Sequence, residues 1–127
     1  MILGIGVDIV DIERIKQKVN SGSGFKEYVF SKVEIQSCEK KSNPYESFAA
    51  RFAAKEAFLK ALGTGIDLTF ELNHLEIYND EIGKPYFVFS KLIEEHLFAV
   101  LACIPIVHLS ISHSKEQAIA FVVLNKN

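Results

Sequence analysis

The sequence has no tryptophan, only two cysteines and no large excess of charge of either sign. Cys38 and Cys103 lack the CxxC spacing of a zinc or redox site, so the pattern favours buried thiols over a disulfide framework. The net charge of −2 excludes the overall basic field that is typical of nucleic-acid-binding proteins. We therefore expect no nucleic-acid partner, and any basic contact surface must be local.

Long apolar runs are also missing. The longest run, residues 97–107, is too short for a bilayer, which needs about 20 residues, and Pro105 interrupts it. The N-terminal residues carry no basic group and reach Asp8 early, which does not fit a signal peptide. The sequence thus predicts a cytoplasmic protein that makes no membrane contact.

The hydrophobic pattern predicts a mixed fold. A length of 127 residues, 49% of them hydrophobic, is typical of one globular domain, so we expect residues 1–127 to form a single domain. Helical and strand-like spacing alternate along the chain. Helices are expected at 11–19, 31–41, 44–62 and 90–103, and strands at 2–10, on both sides of a turn at 80–84, at 107–112 and at 118–124. This order predicts an α+β fold, with an antiparallel-rich sheet packed with a long central helix.

From residue 51 onwards the central helix carries four charged residues in an apolar sequence. On a helical wheel Glu56 and Lys60 lie within about 40° of each other, and Arg51 and Lys55 form a second pair about 140° away. An ordinary ion pair between residues i and i+4 would explain Glu56 and Lys60. However, a helix that is apolar nearly all round is expected to be buried, where an unaided pair costs desolvation energy.

Asp8 is unusual for the same reason, because it shares one face of the first strand with Gly4 and Gly6. Capping the next helix is its ordinary alternative, but Asp11 is better placed for that role. Two carboxylates from separate elements, Asp8 and Glu56, suit Mg²⁺, which takes few protein ligands and completes its shell with water and phosphate.

Other residues fit a phosphate-binding site less specifically. Lys60 lies one turn beyond Glu56, where its ammonium group would attract a phosphate as a compact positive charge. Backbone N–H groups at Gly63 and Gly65 would approach the same anion, although a simple helix stop explains Gly63 equally well. His113 lies where a strand turns, a place where ligand contacts are common but where a lone histidine is usually a surface residue.

Four segments together resemble the holo-[acyl-carrier-protein] synthases, a family of bacterial 4′-phosphopantetheinyl transferases. They are GIGVDIVDIERI at 4–15, FAARFAAKEAFLKALGTGI at 48–66, GKPY at 83–86 and SISHSKEQAIAFVV at 110–123. The resemblance runs in order over nearly the whole chain. It implies the 4′-phosphopantetheinyl transferase-like fold.

The resemblance also implies an activity that supports fatty acid biosynthesis. This is the transfer of 4′-phosphopantetheine from coenzyme A to a serine of apo acyl carrier protein, with release of adenosine 3′,5′-bisphosphate. By position, Asp8 and Glu56 would hold Mg²⁺ and Lys60 would neutralise phosphate charge. His113 would bind the nucleotide end of coenzyme A, at its 3′-phosphate. Glu56, or a water beside it, is the candidate base for the serine proton.

Further contacts follow from the same resemblance. Arg14, together with Lys18 on the outer side of the first helix, would bind the acidic carrier protein. Arg51 and Lys55 would reach the nucleotide phosphate or a neighbouring subunit. The family forms homotrimers with active sites between subunits, so that His113 of one chain would face Asp8 and Glu56 of the next.

One position departs from the larger, two-lobed relatives, which place a third acid where this chain has Val10. Water would fill that vacant metal position, as Mg²⁺ tolerates. Two other functions stay open at this stage. One is hydrolysis of a phosphate ester by the same metal site, and the other is a non-enzymatic module that binds an acidic partner.

Overall fold

A computed structural model describes residues 1–63 and 71–127 of the chain. Its helices, in chain order, are α1 (Ile12–Asn20), α2 (Phe25–Val29), α3 (Lys32–Glu39), α4 (Pro44–Leu62) and α5 (Lys91–Leu101), with a short 3₁₀ helix at Leu72–His74. Its strands are β1 (Ile2–Asp11), β2 (Leu75–Asn79), β3 (Pro85–Phe89), β4 (Ile106–His113) and β5 (Gln117–Asn125). Strands β1, β5 and β4 form one antiparallel sheet in that order, and β2 and β3 form a separate hairpin. The predicted α+β class is therefore confirmed.

Helix α4 begins and ends as its sequence predicts. The side chain of Asn43 accepts a hydrogen bond from the backbone N–H of Glu46, and Pro44 occupies the first helical position, where no N–H is needed. The helix stops at Gly63, whose φ of 73° lies in the left-handed region that favours glycine. The apolar residues between these ends are mostly buried, and they pack on β1 and β5.

The contact between α4 and β1 depends on two glycines. A Cβ atom at Gly4 would lie 1.9 Å from the carbonyl oxygen of Ala61, and one at Gly6 would lie 1.9 Å from that of Ala57. No real side chain tolerates such distances, so the backbones of β1 and α4 approach this closely only because both positions are glycine. Asp8 lies on the same face of β1 and is therefore directed towards α4.

Lys55 of α4 is buried in a hydrogen-bonded ion pair. Its Nζ atom donates to Glu34 Oε1 at 2.6 Å, and also to the carbonyl oxygens of Val29 at 2.6 Å and Leu72 at 3.0 Å. Burial lowers the pKa of Lys55, and the Glu34 carboxylate opposes that change. The expectation that Lys55 reaches a substrate or a neighbouring subunit is wrong, because all three of its donors are satisfied inside the core.

Three local expectations differ from the structure. Helix α2 was not expected, since its five residues are too few for a clear helical pattern. Asp11 stands at the N-cap position of α1 but makes no capping bond, because its Oδ1 atom accepts from Gln117 Nε2 at 3.1 Å instead. Helix α5 ends at Leu101, before Cys103, with Ala102 at a φ of 60°. Among the helices of the described residues, none combines the length and apolarity that crossing a bilayer requires.

We expect Gly6→Ala to destabilise the fold strongly, since its Cβ would collide with helix backbone that cannot rotate away. The free energy of unfolding should fall by about 2–4 kcal/mol, as in other overpacked cores. Gly22→Ala is the matched control, because Gly22 has a φ of 71° but nothing within 4 Å of a new Cβ. That change should cost only about 1 kcal/mol. Urea unfolding at one protein concentration measures both, and an equal loss in the two variants would contradict the close contact.

Candidate active site

Asp8, Glu56 and Lys60 meet between β1 and α4. The Nζ atom of Lys60 donates to Asp8 Oδ1 and to the carbonyl oxygen of Val7, both at 3.0 Å. The structure thus brings the strand aspartate to the polar residues of the helix, as the sequence predicts. The expected partner of Lys60 is corrected, however, because its ion pair is made with Asp8 and not with Glu56.

The negative charges of Asp8 and Glu56 are only partly balanced by neighbouring donors and cations. Asp8 is mostly buried, with 15% of its side chain exposed, and its Oδ2 atom is buried with no hydrogen-bond partner. Burial raises the pKa of Glu56, the Asp8 charge raises it further, and Lys60 lowers it. A buried, unpartnered carboxylate oxygen beside a second destabilised carboxylate is a place where a cation is favourable.

The donors at this position fit Mg²⁺ better than a softer metal. Asp8 and Glu56 supply only hard oxygen atoms, and Val10 adds no ligand atom. Within residues 1–63 and 71–127 there is no group of three or more His, Cys, Asp and Glu that could hold a metal ion. The donor set that the chain offers here is therefore two carboxylates, which Mg²⁺ can use while it keeps several waters.

A second polar region is a cleft of about 380 Å³ between the start of α4, the hairpin and the end of β4. Arg51 lies in its wall with 4% of its surface exposed. Its Nη2 atom donates to Ser37 Oγ at 3.1 Å and to Asn79 Oδ1 at 2.9 Å, and its Nη1 atom donates weakly to the carbonyl oxygen of Glu34 at 3.5 Å. These acceptors are all uncharged, so the guanidinium charge is held in place without being neutralised. An anion in the cleft would be attracted to it.

His113 also lines this cleft. It is the last residue of β4 rather than a turn residue, and its Nε2 atom lies 3.2 Å from Glu46 Oε1. Glu46 was missed as a site residue, because an acid in the first turn of a helix is already explained by the helix dipole. Only the tertiary contact with β4 reveals its position beside His113.

The remaining predicted residues lie outside these two regions or are already bonded. Arg14 is exposed on α1, while Lys18 is half-buried with its Nζ atom 5.4 Å from the centre of the Phe25 ring. The N–H of Gly63 donates to the carbonyl oxygens of Leu59 and Lys60, so it is not available to an anion and its expected role as a donor is wrong. Gly65 lies outside the described residues, and its role stays a prediction.

Comparison with known proteins identifies the family. A family model described as the 4′-phosphopantetheinyl transferase superfamily matches residues 4–122. The chain is 59% identical to a holo-[acyl-carrier-protein] synthase of Cytophaga hutchinsonii over 127 residues, which is 100% of both chains. The chain belongs to the holo-[acyl-carrier-protein] synthase family. It is a transferase, and the recognition made from its motifs is confirmed.

Two solved holo-[acyl-carrier-protein] synthases share the fold. The structure from Bacillus anthracis, in complex with CoA (3′,5′-ADP), is 41% identical, has a TM-score of 0.80 and is matched over 100% of this chain and 99% of that one. The structure from Neisseria meningitidis is 36% identical, has a TM-score of 0.88 and is matched over 99% of this chain and 100% of that one. The predicted transferase-like fold is confirmed.

The raised pKa of Glu56 predicts a pH-dependent stability for this family member without metal. Because the folded-state pKa lies above the unfolded value of about 4.3, the folded chain binds the proton more tightly. This stabilisation is fully present below the unfolded pKa and is lost as the pH rises through the folded pKa. Glu56→Gln should therefore raise the urea midpoint at pH 7, and the difference should shrink towards pH 4.

An exposed carboxylate provides the control for this measurement. Glu81 lies in the exposed hairpin turn, so Glu81→Gln should leave the urea midpoint nearly unchanged at both pH values. If Glu56→Gln behaves like Glu81→Gln, the Glu56 carboxylate is not destabilised by its surroundings.

Proposed function

We propose that this chain transfers the 4′-phosphopantetheine group of coenzyme A to a serine of apo acyl carrier protein and releases adenosine 3′,5′-bisphosphate. We further propose that it depends on Mg²⁺, that residues 1–127 form one domain, and that it serves fatty acid biosynthesis in the cytoplasm. Beyond family membership, the observation that carries the proposal is the buried, unpartnered Asp8 Oδ2 atom beside Glu56 and Lys60.

Asp8 and Glu56 would hold the metal ion. When bound, Mg²⁺ would neutralise and orient the pyrophosphate of coenzyme A. Lys60 would supply the second positive charge. Its side chain is 57% exposed and flexible, so it can leave Asp8 and reach a substrate phosphate without disturbing the core.

The reaction needs charge neutralisation and alignment more than a protein nucleophile. The carrier serine oxygen forms a new bond to the phosphorus atom that carries pantetheine, and the bond from that phosphorus to the bridging oxygen breaks. The electron pair leaves with adenosine 3′,5′-bisphosphate. The serine proton passes to Glu56, directly or through a water beside it, since a carboxylate oxygen that the metal does not use can act as a general base.

The cleft at Arg51 and His113 would take the nucleotide end of coenzyme A. Its positive wall suits a nucleotide phosphate, and its lining also includes apolar side chains at Pro85 and Ile111, which suit a base. Neither Asp8 nor Glu56 is among the described residues that line it. One coenzyme A molecule would therefore bind the cleft of one chain and the carboxylates of another.

An exposed apolar face on β1 and β5 supports a homotrimer. In β1 the side chains opposite the glycines are exposed, and two of their partners on β5 are exposed as well. These residues are Ile5, Val7, Ile9, Ile119 and Phe121. The face becomes polar towards β4, where the exposed residues beside it are His108, Ser110 and Ser112. An apolar face of this kind usually marks a contact with another protein. We propose that it joins three copies of the chain.

The carrier protein would dock on α1. Arg14 is exposed there and Lys18 follows one turn later, so the pair can meet an acidic surface. Lys18 also stacks on Phe25, which limits its freedom and makes Arg14 the stronger contact.

Incubation with coenzyme A, Mg²⁺ and apo carrier protein should add one phosphopantetheine group to the carrier, as measured by intact mass. Asp8→Asn should lower the rate by at least about a hundredfold, because charge neutralisation would be lost. Arg14→Glu should mainly raise the KM for the carrier, since it reverses a docking charge. A chain that instead removes the group from holo carrier protein would be a hydrolase, and no mass change in either direction would refute the transferase.

A mixing experiment tests whether active sites are shared between chains. Asp8→Asn and His113→Ala chains should each be poorly active at low coenzyme A concentration. In co-expressed mixed trimers, about a quarter of the sites would combine an intact Asp8 with an intact His113. The mixed sample should then be several times more active than the mean of the two separate variants. Activity equal to that mean would place both residues in one chain's site.

A further inference from the structure

Glu46 is the one carboxylate among the described residues that line the cleft at Arg51 and His113. The cleft also carries Lys41 and is otherwise lined by neutral polar and apolar residues. A carboxylate would weaken the binding of a phosphate group by repulsion if it faced that group directly. Its presence in a cation-rich cleft therefore needs an explanation.

The position of Glu46 in the first turn of α4 explains only part of this. An acidic residue is favourable there because of the helix dipole, and the Glu46 N–H is capped by Asn43 Oδ1 at 3.3 Å. Neither effect requires the side chain to reach β4. Yet its Oε1 atom lies 3.2 Å from His113 Nε2, with 33% of the Glu46 and 47% of the His113 side chain exposed. A pair with this exposure contributes little to stability, so the fold does not depend on it.

The contact has a direct consequence for His113. An imidazole has two nitrogen atoms, and when Nε2 is paired with Glu46 at 3.2 Å, only Nδ1 is left to bond a ligand. Phosphate oxygens accept hydrogen bonds, so Nδ1 must also carry a hydrogen in the complex, and the ring binds the phosphate as the imidazolium ion. We propose that Glu46 is a positioning residue that directs Nδ1 of His113 to the nucleotide phosphate and thereby determines specificity for the 3′-phosphorylated nucleotide. This rests on the proposed function, in which the cleft takes the nucleotide end of coenzyme A.

The opposite role for Glu46 predicts the opposite change in the binding of coenzyme A. If the carboxylate occupied the place of the phosphate, its removal would strengthen the binding of coenzyme A. If it positions His113, its removal weakens binding, and only for ligands that carry the phosphate. The amide of Glu46→Gln can still accept from Nε2 but carries no charge, so its effect should lie between those of the wild type and Glu46→Ala.

The test compares coenzyme A with dephospho-coenzyme A, which lacks the 3′-phosphate. Glu46→Ala should raise the KM for coenzyme A about tenfold with kcat within about twofold, and it should leave the KM for dephospho-coenzyme A unchanged. In a His113→Ala background, Glu46→Ala should have no additional effect, because the positioned ring is absent. Glu39→Gln is the charge control, since Glu39 pairs with Lys26 outside the cleft and should change neither KM.

Each other result overturns the inference. A lower KM for coenzyme A in Glu46→Ala would make Glu46 a competitor of the phosphate, and an equal loss with both substrates would show that it does not act through the phosphate. If the wild type distinguishes the two substrates but the Glu46 variants match it, only the positioning role fails. If the wild type has the same KM for coenzyme A and dephospho-coenzyme A, both the positioning role of Glu46 and the proposed place of the 3′-phosphate beside His113 are wrong.

Discussion

The close contact between β1 and α4 determines most of what this chain can do. Gly4 and Gly6 let the helix backbone lie directly on the strand, and Ala57 and Ala61 keep the facing side of the helix small. Because side chains of a strand alternate between two faces, the face that carries the glycines also carries Asp8. The packing that closes the core therefore brings Asp8 to Lys60, and a shift of one residue in β1 would turn Asp8 away from the helix.

The same contact also determines which face of β1 is buried, and the result is the reverse of the usual one, in which the larger apolar side chains face the core. The buried face of β1 is the glycine face, and the larger residues Ile5, Val7 and Ile9 are exposed. The alternation in residues 2–10 predicted the strand and its two faces, but it could not predict which face is buried. That choice depends on the partner element, because only a helix with small residues can pack on the glycines. Exposed apolar residues of this size usually mark a contact with another protein.

The charged residues of α4 show which features of the site the sequence can predict. Helical spacing correctly separated Arg51 and Lys55 from Glu56 and Lys60, since angles around a helix follow from residue number. It could not predict partners on other elements, because those depend on how the elements pack. Lys55 pairs with Glu34, which also forms the capping box at the start of α3, and Lys60 pairs with Asp8. The contact of Glu46 with His113 was missed for the same reason.

The arrangement of α4 bears on the proposal that active sites are shared between copies of the chain. Arg51 and Glu46 line the cleft, whereas Glu56 and Lys60 lie nearer the C-terminal end of the helix, where Lys60 meets Asp8. Ten residues, or about 15 Å of helix, separate Glu46 from Glu56, and Phe48, Phe58 and other apolar residues of α4 are buried in the core. Under that proposal, the cleft of a second copy faces the carboxylates of the first while each core stays closed.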